Sequence, residues 1–335
     1  MKAYEIQGEG GIDALALVDR PSPAPGPGQI KVKVRANALN YRDLNTVRFP
    51  ARVGLAFPRV PNSDGAGEVI EVGEGVREFA IGDRVAGCFF DDWAAGGVSP
   101  AGMATARGGA IDGMAAEEVV MRERGAVAIP EHLSYEEAAT LPCAALTAWH
   151  ALVVKGGLKA SETVLLLGTG GVSIFALQFA VMMGARPIVT SKSDQKLARA
   201  KEMGAWKTIN YEATPDWAKE VASLTGGAGA DHVVEVGGGG TLEASIEAVR
   251  VGGHIALIGV LTQGQINPMP ILRKSIRLNG IYVGSREWFQ AMNAAIAANA
   301  LKPVIDTVFP FAEAPAAYRH MESARHVGKI VLTLD

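Results

Sequence analysis

The chain has 335 residues, more than one hydrophobic core usually organises, so we expect two domains. Hydrophobic residues make up 48% and charged residues 20% of the sequence, an ordinary globular composition that leaves no room for a long disordered tail. The formal net charge of −3 provides no basic field to attract a phosphate backbone or an anionic lipid surface. We therefore expect neither nucleic acid nor a membrane as a partner.

The two cysteines, Cys88 and Cys143, are too few for a disulfide framework, and the sequence has no C-x-x-C pair of a structural metal site. This cysteine usage fits a reducing compartment. The first residues, MKAYEIQGEGG, contain no apolar segment of the kind that a secretory signal needs, and they do not have the composition of a transit peptide. We therefore expect a cytoplasmic protein.

The first part of the chain consists of short β-like runs separated by turn residues. The run Lys31–Val34 follows the Pro- and Gly-rich segment 21–28, and the run Gly67–Val72 ends at a further glycine. This succession of short strands predicts a small β-barrel.

From Ser134 onward the chain alternates between helical and strand-like runs. A capping box at Ser134–Glu137 opens a long apolar helix that runs to Val154, and we place a domain boundary just before it. Strand-like runs then recur at Val164–Leu167, Pro187–Thr190, Lys207–Asn210, His232–Val236 and His254–Ile258. This alternation predicts a right-handed, doubly wound parallel sheet of the α/β class. After Pro268 come further β-like pieces and one helix, Trp288–Ala298, and we expect this tail to return to the first domain.

One uncharged stretch, residues 163–185, is long enough to span a bilayer. Three glycines near its start, in the sequence Gly168-Thr-Gly-Gly171, would break such a helix. The β-rich run before these glycines and the apolar run after them instead predict a buried strand, a turn and a buried helix.

The same glycine turn has the context of a phosphate-binding site. Glycine is frequent here, 40 in 335 residues, so a G-x-G pattern alone is weak. Only this turn directly follows an apolar strand and opens an apolar helix, Ser173–Met183, so that its backbone amides can bind a pyrophosphate. Ser173 stands where the usual fingerprint has a third glycine, and a plain crossover turn is the alternative. The candidate contacts are Gly168, Thr169, Gly170, Gly171 and Val172.

The end of the second strand of this sheet bears on the choice of dinucleotide. A free ribose 2′-hydroxyl calls for Asp or Glu about 20 residues after the turn, but this chain has the sequence Thr190-Ser191-Lys192-Ser193, with Lys196 one helical turn on. Hydroxyl and ammonium groups suit a 2′-phosphate, since a charge-assisted contact contributes about 1.5–3 kcal/mol. We therefore expect NADPH rather than NADH. Two alternatives concern Asp194, which would be the cap of a solvated helix or the missing acid itself.

Several short motifs follow one another along nearly the whole chain. They are Pro25–Gly28, Asn40–Asp43, Pro61–Gly67, Gly82–Val85, Leu141–Trp149, the Gly168 turn and Gly328-Lys329. Together they resemble the medium-chain dehydrogenase/reductase superfamily, and within it the zinc-free, quinone-oxidoreductase-like branch. The resemblance implies a GroES-like β-barrel catalytic domain formed by residues 1–126 and 269–335, with a Rossmann dinucleotide-binding domain at 127–268. It also implies a homodimer that joins sheet edges near Ile276–Val283.

The metal ligands of the zinc-dependent relatives are missing from the matching positions. Where those relatives have Cys, His and Cys, this chain has Asn40, Ser63 and Cys143, and the segment 89–116 lacks the four cysteines of their structural site. A catalytic zinc needs three protein ligands, so we expect no metal, and we expect Cys143 to pack as a small hydrophobe. No histidine has a second ligand at metal spacing.

The absence of a metal bears on the reaction that we expect. Hydride addition to an enone or a quinone spreads the negative charge over a conjugated oxygen, which hydrogen bonds can stabilise without a Lewis acid. We therefore favour such a reduction over alcohol oxidation.

The resemblance also implies that the segment Asn40–Asp43 lines the nicotinamide face. Tyr41 is the first candidate for a hydrogen-bond donor or acid, although a phenol is a slow acid at neutral pH and Tyr41 could serve only to position substrate. Arg42 occupies the proton-relay position of the zinc enzymes, where a guanidinium cannot act as a general acid. Asp43 has two interpretations, a structural ion pair and a catalytic role.

Further cofactor contacts follow from the resemblance and from the rule that ligands bind at the C-terminal edge of a parallel sheet. Thr147 would meet the cofactor from the long helix, Tyr211 would lie by the nicotinamide ribose, and Arg325 would reach the 2′-phosphate. The loop candidates are Gly259, Val260, Leu261, Gly284, Ser285 and Arg286.

Three functions remain open at this point. The first is an NADPH-dependent, zinc-independent reductase of small-molecule quinones or α,β-unsaturated carbonyls. The second is a zinc-free alcohol or carbonyl dehydrogenase, and the third is a non-catalytic, crystallin-like NADPH-binding protein. The substrate itself does not follow from the sequence, because the loops Phe49–Phe57 and Phe89–Met114 that would shape its pocket are predicted only to be flexible and partly apolar.

Overall fold

The computed structural model describes residues 1–259 and 261–334, and the predicted cofactor contact Val260 lies outside them. The strands are β1 (Lys2–Ile6), β2 (Leu15–Asp19), β3 (Gln29–Leu39), β4 (Asp64–Val72), β5 (Arg84–Gly87), β6 (Glu118–Arg122), β7 (Ala126–Ala128), β8 (Thr163–Leu167), β9 (Arg186–Ser191), β10 (Lys207–Asn210), β11 (Ala230–Glu235), β12 (Val249–Leu257), β13 (Arg277–Gly280), β14 (Ile305–Pro310) and β15 (Lys329–Thr333). The helices are α1 (Tyr41–Arg48), α2 (Pro100–Met103), α3 (Tyr135–Ala139), α4 (Leu146–Trp149), α5 (Gly171–Met182), α6 (Asp194–Glu202), α7 (Trp217–Leu224), α8 (Leu242–Ala248), α9 (Met269–Arg273), α10 (Arg286–Ala298) and α11 (Ala314–Glu322). Among the described residues, none of these helices combines the length and the apolarity needed to cross a membrane.

The chain divides into two compact units, of which one joins Met1–Leu146 to the residues from Val283 onward. Its main sheet has the strand order β14-β15-β3-β4-β5-β7, and β6 pairs with β3. Successive side chains of β3 point to opposite faces of the sheet. Ile30, Val32 and Val34 therefore share the face that packs into the core, and all three are fully buried. β15 pairs antiparallel with β3, with Ile330 opposite Leu39, so the C-terminal tail lies in the same sheet as the N-terminal strands.

The other unit, Thr147–Tyr282, is built on a parallel sheet of strand order β10-β9-β8-β11-β12-β13. The strand order runs outward from β8 in one direction and from β11 in the other, so the topological switch point lies between these two strands. β8 is buried along its whole length, as a central strand covered on both faces requires. This sheet confirms the predicted doubly wound α/β architecture.

The unit boundaries fall later in the chain than the predicted domain boundaries at 126/127 and 268/269. β7 crosses the first predicted boundary and pairs with β5, with Ala128 opposite Val85. β13 lies beyond the second one but pairs in parallel with β12, with Leu278 opposite Ile255. Both differences come from strand pairing between residues far apart in sequence, which composition does not indicate.

The helical segment after Ser134 begins as predicted. The Ser134 amide donates to Glu137 Oε2 at 2.8 Å, and the Glu137 amide donates to Ser134 Oγ at 3.2 Å, so the capping box is formed. The segment is not one regular α-helix, however. Wider π-type turns occupy Leu141–Ala145 and His150–Lys155 on either side of α4, and Pro142, which has no N–H group, lies in the first of them.

Two histidines meet inside the parallel sheet. His232 on β11 and His254 on β12 are register partners with their Nδ1 atoms 3.4 Å apart, and His232 Nε2 lies 3.0 Å from Glu162 Oε2. Burial lowers the pKa of both imidazoles, and it lowers that of His254 to about 4. Spacing along the sequence did not indicate a partner for either histidine, whereas strand pairing brings the two rings together. Within residues 1–259 and 261–334, even so, no three His, Cys, Asp or Glu side chains form a group able to hold a metal.

The buried histidine pair makes the stability of the fold dependent on pH. His254 stays neutral in the folded chain down to a pKa of about 4, whereas an unfolded histidine takes up a proton near pH 6.5. The folded state is therefore destabilised as the pH falls from about 6.5 to about 4, by up to about 3 kcal/mol from this residue. His254→Gln keeps a polar side chain and removes the titration. Urea unfolding at pH 7.5 and 4.5 should show a loss of stability about 2 kcal/mol smaller in the variant. Equal losses in both proteins would contradict the argument.

Candidate functional site

The predicted phosphate-binding turn connects β8 to α5. Gly168 adopts φ +73°, a left-handed conformation that favours glycine, and its amide donates to Thr190 O at 2.9 Å. Ser173, in the place of the third glycine, is 3% exposed and donates its hydroxyl to Leu167 O at 2.7 Å. The serine thus ties the first turn of α5 to β8, so the departure from the usual fingerprint preserves close packing of helix on strand.

The space above this turn fits a ligand that approaches the backbone closely. A side chain at Gly168 or Gly170 would meet no protein atom within 4 Å, and Gly170 has φ −75°, which any residue adopts. The protein itself therefore does not require glycine at Gly170. The first amides of α5, from Gly171 and Val172, lack partners within the helix, as in every helix. Open space and these amides together suit a pyrophosphate. Thr169 between the glycines is buried.

The C-terminal ends of β9 and β10 bring three of the predicted residues to one edge of the sheet. Ser191 is buried at the end of β9, Lys192 follows it and is exposed, and the Tyr211 amide donates to Ser191 O at 3.2 Å. Lys196 follows on α6 and is half-buried. These residues present hydroxyl and ammonium groups at the sheet edge where a ribose binds in folds of this type.

Both alternative roles of Asp194 are weakened by the structure. Ser193, not Asp194, is the N-cap of α6, because its hydroxyl accepts the Lys196 amide at 3.4 Å. Asp194 Oδ1 accepts instead from Asn210 Nδ2 at 2.7 Å, so the carboxylate is held by the neighbouring strand end. Asp194 is therefore not the cap of α6, and its carboxylate is hydrogen-bonded to Asn210.

The loops after β11 and β12 surround a cavity that the sequence did not indicate. The cavity has a volume of about 420 Å³ and is lined by Gly238, Gly239, Leu242, Leu257, Thr262, Gln263, Gly264 and Ile266. Gly259 passes so close to β11 that a Cβ atom there would lie 1.9 Å from Val236 O. Leu261 is 52% exposed. Both predicted residues thus belong to the loop at the C-terminal edge of β12.

Glu235 orders this edge of the sheet and was missed by the sequence analysis. Its carboxylate is fully buried and accepts from the amides of Gly237 and Gly238 at 2.7 and 3.0 Å, from Thr241 Oγ1 at 2.6 Å and from the Ser245 hydroxyl. Four donors converge on one carboxylate, which is how a buried charge is made tolerable. The glycines after β11 gave a signal for a turn, but nothing in the sequence indicated its anchor.

Two residues predicted to contact the cofactor instead form hydrogen bonds within the unit that contains β3 and β15. Ser285 is fully buried and caps α10 by accepting the Trp288 amide at 3.3 Å. Arg286 donates from Nε to Ala126 O at 2.7 Å and forms an ion pair with Glu78. Both side chains therefore have partners within the unit, and the contact of Ser285 and Arg286 with a cofactor stays a prediction.

The remaining predicted cofactor residues differ widely in exposure. Thr147 is 4% exposed. Gly284 packs so tightly that a Cβ atom would lie 2.8 Å from the Leu146 side chain. Arg325 is exposed and donates from Nε to Ser323 Oγ at 3.3 Å, so its guanidinium is accessible.

The segment Asn40–Asp43 begins α1 and is organised by the Asp43 carboxylate. Asp43 is fully buried. Its carboxylate accepts from the backbone amide of Asn40 at 2.8 Å, from the backbone amide of Ser63 at 3.2 Å and from Arg42 Nη1 at 3.1 Å. Arg42 also donates to Arg107 O at 2.9 Å. Asp43 and Arg42 thus hold this segment in place, whereas Tyr41 is 47% exposed and its phenol is accessible.

The three positions that match the zinc ligands of other dehydrogenases do come together. Asn40 Nδ2 lies 3.4 Å from Ser63 Oγ, Ser63 Oγ donates to Asp64 Oδ1 at 2.7 Å, and the Cys143 amide donates to Asp64 Oδ2 at 3.1 Å. Burial first, and then the Asp64 carboxylate, raise the pKa of the Cys143 thiol and keep it protonated, whereas zinc binds the thiolate. An amide, a hydroxyl and a protonated thiol do not fit a catalytic zinc ion.

Lys329, which in the sequence is a marker of the family resemblance, completes this cluster. It is 2% exposed, donates to Leu39 O at 2.7 Å and to Asn40 Oδ1, and lies 3.9 Å from Asp64 Oδ2. Burial raises the pKa of Asp64 to about 6, against the opposing effect of the Lys329 ammonium. The register of β15 on β3 creates this contact between residues at opposite ends of the chain.

The segment Phe89–Met114 is more ordered than predicted. The rings of Phe89, Phe90 and Trp93 pack edge to face with centroids 4.7 and 5.4 Å apart. Arg107 is 1% exposed and pairs with Asp91. The aromatic cluster and the ion pair replace the expected flexible loop. The other predicted loop keeps exposed apolar side chains, Val53 at 56% and Phe57 at 42%.

Comparison with known proteins places both units in one family. Residues 26–131 match the family model of the alcohol dehydrogenase GroES-like domain, and residues 171–298 match that of the zinc-binding dehydrogenases. A zinc-type alcohol dehydrogenase-like protein of Schizosaccharomyces pombe is 43% identical over 308 residues, which cover 90% of this chain and 89% of the yeast protein. A quinone oxidoreductase of Rattus norvegicus is 28% identical over 83% of this chain and 81% of the rat protein.

Solved structures agree over the whole length. An NAD-dependent alcohol dehydrogenase has a TM-score of 0.91 at 35% identity, with 100% of both chains covered. A mycobacterial protein solved in complex with NADPH has a TM-score of 0.84 at 28% identity, again with 100% of both chains covered. With a GroES-like domain, a doubly wound parallel sheet and relatives that match along nearly the entire chain, this protein is an oxidoreductase that belongs to the medium-chain dehydrogenase/reductase superfamily.

Proposed function

We propose that the protein is a zinc-independent, NADPH-dependent reductase of quinones or α,β-unsaturated carbonyl compounds. The observation that carries this proposal is the donor chemistry of the cluster formed by Asn40, Ser63 and Cys143, which does not suit a catalytic metal. A metal-free site stabilises a simple alkoxide poorly. It serves better when the charge spreads over a conjugated oxygen, which hydrogen bonds can stabilise.

The proposed dinucleotide site lies at the C-terminal edge of the parallel sheet. The bound nicotinamide would supply the hydride. The turn Gly168–Val172 would hold the pyrophosphate, and Ser191, Lys192 and Tyr211 would hold the ribose and its 2′-phosphate. Further proposed contacts are Thr147, Lys196, Gly259, Leu261 and Arg325. Preference for NADPH rests on an exposed ammonium, with no carboxylate ending β9.

In the GroES-like unit we propose two residues that meet the substrate. The exposed phenol of Tyr41 would donate a hydrogen bond to the substrate oxygen. The side-chain amide of Asn40, a residue that is 7% exposed, would be a second donor. Asp43 and Arg42 would position this segment through the contacts described above rather than react.

A zinc-free alcohol or carbonyl dehydrogenase is the second candidate. The names of two relatives favour it: the yeast protein is called alcohol dehydrogenase-like, and one solved structure is an NAD-dependent alcohol dehydrogenase. Both proteins have a higher sequence identity to this chain than the rat quinone oxidoreductase has. The donor chemistry around Asn40 argues against it, because an amide, a hydroxyl and a protonated thiol do not suit the metal ion that stabilises an alkoxide in zinc-dependent dehydrogenases.

A homodimer is proposed through the edge of the parallel sheet. β13 ends the strand order, and the flanking residues Leu272 and Tyr282 are 74% and 45% exposed. A free strand edge next to exposed apolar groups suits pairing with a second copy, because such edges are otherwise prone to aggregation.

The cofactor preference is tested by Lys192→Met. Loss of a charge-assisted contact to the 2′-phosphate should raise the KM for NADPH about tenfold or more, with little change in the KM for NADH. Lys201→Met, on the helix α6 that follows Lys192, is a matched control: its Nζ donates to Trp206 O, and the variant should leave both values unchanged. Steady-state kinetics with both cofactors measures the effect. An equal change for NADH and NADPH, or a wild-type preference for NADH, would contradict the proposal.

The reaction class is tested with a panel of enones, quinones, aldehydes and alcohols, before and after dialysis against a chelator. We expect NADPH to be consumed with enones and quinones, the enones to yield saturated carbonyl products, and chelation to leave the rates unchanged. Turnover of aldehydes or alcohols alone would support the second candidate. Tight NADPH binding without turnover of any compound would instead support a non-catalytic, crystallin-like role.

A further inference from the structure

The loop that follows β12 is hydrogen-bonded to the turn that follows β11. The amide of Gly259 donates to Glu235 O at 3.2 Å. The amides of Leu261 and Thr262 donate to Gly237 O at 3.0 and 3.2 Å. The hydrogen bonding between the two strands thus continues past the ends of both, and loop and turn form one connected structure at the C-terminal edge of the sheet.

Thr262 contacts three glycines of the turn with three different atoms. Its amide donates to Gly237 O, its carbonyl oxygen accepts the Gly239 amide at 2.9 Å, and its Oγ1 accepts the Gly240 amide at 2.7 Å. The third contact gives a backbone amide outside the regular strands the partner that it needs. It depends on the side chain, and Thr262 is exposed, so substitution removes this bond and leaves the core intact.

Glycines allow the loop and the turn to approach closely. A Cβ atom on Gly239 would lie 2.4 Å from Gly264 N. A Cβ atom on Gly259 would lie 1.9 Å from Val236 O. Both distances are far inside van der Waals contact, so any larger residue at either position would push the two segments apart. The backbones of loop and turn therefore pack directly against each other.

The turn itself is fixed by Glu235. The buried carboxylate of this residue accepts from the amides of Gly237 and Gly238 and from the Thr241 hydroxyl. A buried polar network whose members all have partners is rigid. The loop after β12 thus rests on a turn that is ordered before any ligand arrives.

The strand order places this loop beside the second half of a bound dinucleotide. In the proposed site the 2′-phosphate and its ribose lie at the ends of β9 and β10, and the pyrophosphate lies at the turn after β8. β8 stands between β9 and β11 in the sheet. A dinucleotide that continues across the switch point therefore brings its nicotinamide half to the ends of β11 and β12.

Resting on the proposed function, we propose that Thr262 is a positioning residue that holds the loop after β12 on the turn anchored by Glu235, where the nicotinamide half of NADPH binds. Gly259 and Leu261, the proposed cofactor contacts, lie in this loop. Thr262 acts through their backbone and does not itself touch the cofactor. A loop that is already ordered has less conformational entropy to lose on binding, which raises the affinity.

The test is Thr262→Val, which removes the hydroxyl and keeps the branched shape of the side chain. Isothermal titration calorimetry gives the Kd of NADPH and that of adenosine 2′,5′-bisphosphate, a fragment without nicotinamide. If Thr262 positions the loop for the nicotinamide half, the Kd of NADPH rises about fivefold or more, as expected for one lost hydrogen bond, and the Kd of the fragment stays unchanged. Thr262→Ser keeps the hydroxyl and should retain the wild-type affinity.

Thr225→Val is the matched control. Thr225 Oγ1 also accepts a glycine amide, that of Gly229 at 2.9 Å, but this contact precedes β11 and lies at the opposite edge of the sheet. The variant should lower the thermal midpoint and leave both Kd values unchanged. All titrations are made below the midpoint of each variant.

An equal rise in the Kd of NADPH and of the fragment, no rise at all, or the same rise in Thr225→Val would overturn the proposal. Amide hydrogen exchange of the cofactor-free protein is a readout independent of binding. We expect faster exchange in the segment 236–264 of Thr262→Val than in the wild type, and equal exchange would show that the loop does not depend on the hydroxyl.

Failure of the proposed function gives a different result. If the wild type binds NADH and not NADPH, the proposed cofactor preference is wrong, and the same comparison with NADH and ADP decides the role of Thr262. If the wild type binds NADPH but reduces no enone or quinone, the proposed reaction is wrong, and the titrations still decide that role. If the wild type binds neither dinucleotide, the proposed function and the positioning role both fail.

Discussion

The pairing of β15 with β3 is the constraint on which the candidate site in the GroES-like unit depends. This register sets Ile330 opposite Leu39 and thereby carries Lys329 to Asn40, the first residue before α1. Asp64 at the start of β4 closes the cluster from the neighbouring strand. Residues from both ends of the chain therefore meet at one point. The contact of Lys329 with Asn40 follows from this long-range pairing rather than from local sequence.

The other unit organises its site differently, through the ends of parallel strands. Gly168 directly follows β8, Ser191 ends the neighbouring strand β9, and the Gly168 amide donates to Thr190 O. On the other side of the switch point, Glu235 gathers the turn after β11 around its buried carboxylate. The backbone is ordered at the edge where dinucleotides bind in doubly wound sheets. A rigid edge lowers the entropic cost of binding.

Features carried by local sequence were predictable. The glycine turn, the capping box at Ser134 and the alternation of strands and helices all depend on residues within a few positions of one another, and the structure contains each of them. The family resemblance was predictable for the same reason, because its motifs are short. The absence of Cys and His at positions 40 and 63 was readable directly.

Features created by strand register were not predictable from one sequence. Lys329 beside Asn40, and His232 beside His254, are contacts between residues whose separation in sequence carries no signal. The predicted roles of Ser285 and Arg286 were tied to a motif, whereas a helix cap and an ion pair engage both side chains. Val260 lies outside the described residues. Polar side chains of this kind can be assigned only when their partners are known.

The most direct measurement of the central claim follows the fate of the hydride in metal-free protein. NADPH deuterated at C4 of the nicotinamide is supplied with an enone after chelator treatment, and the product is analysed by mass spectrometry and NMR. We expect a saturated carbonyl compound with one deuterium at the β-carbon. Deuterium on the carbinol carbon of an allylic alcohol, or label transfer only after a metal is restored, would contradict a zinc-independent reductase of conjugated substrates.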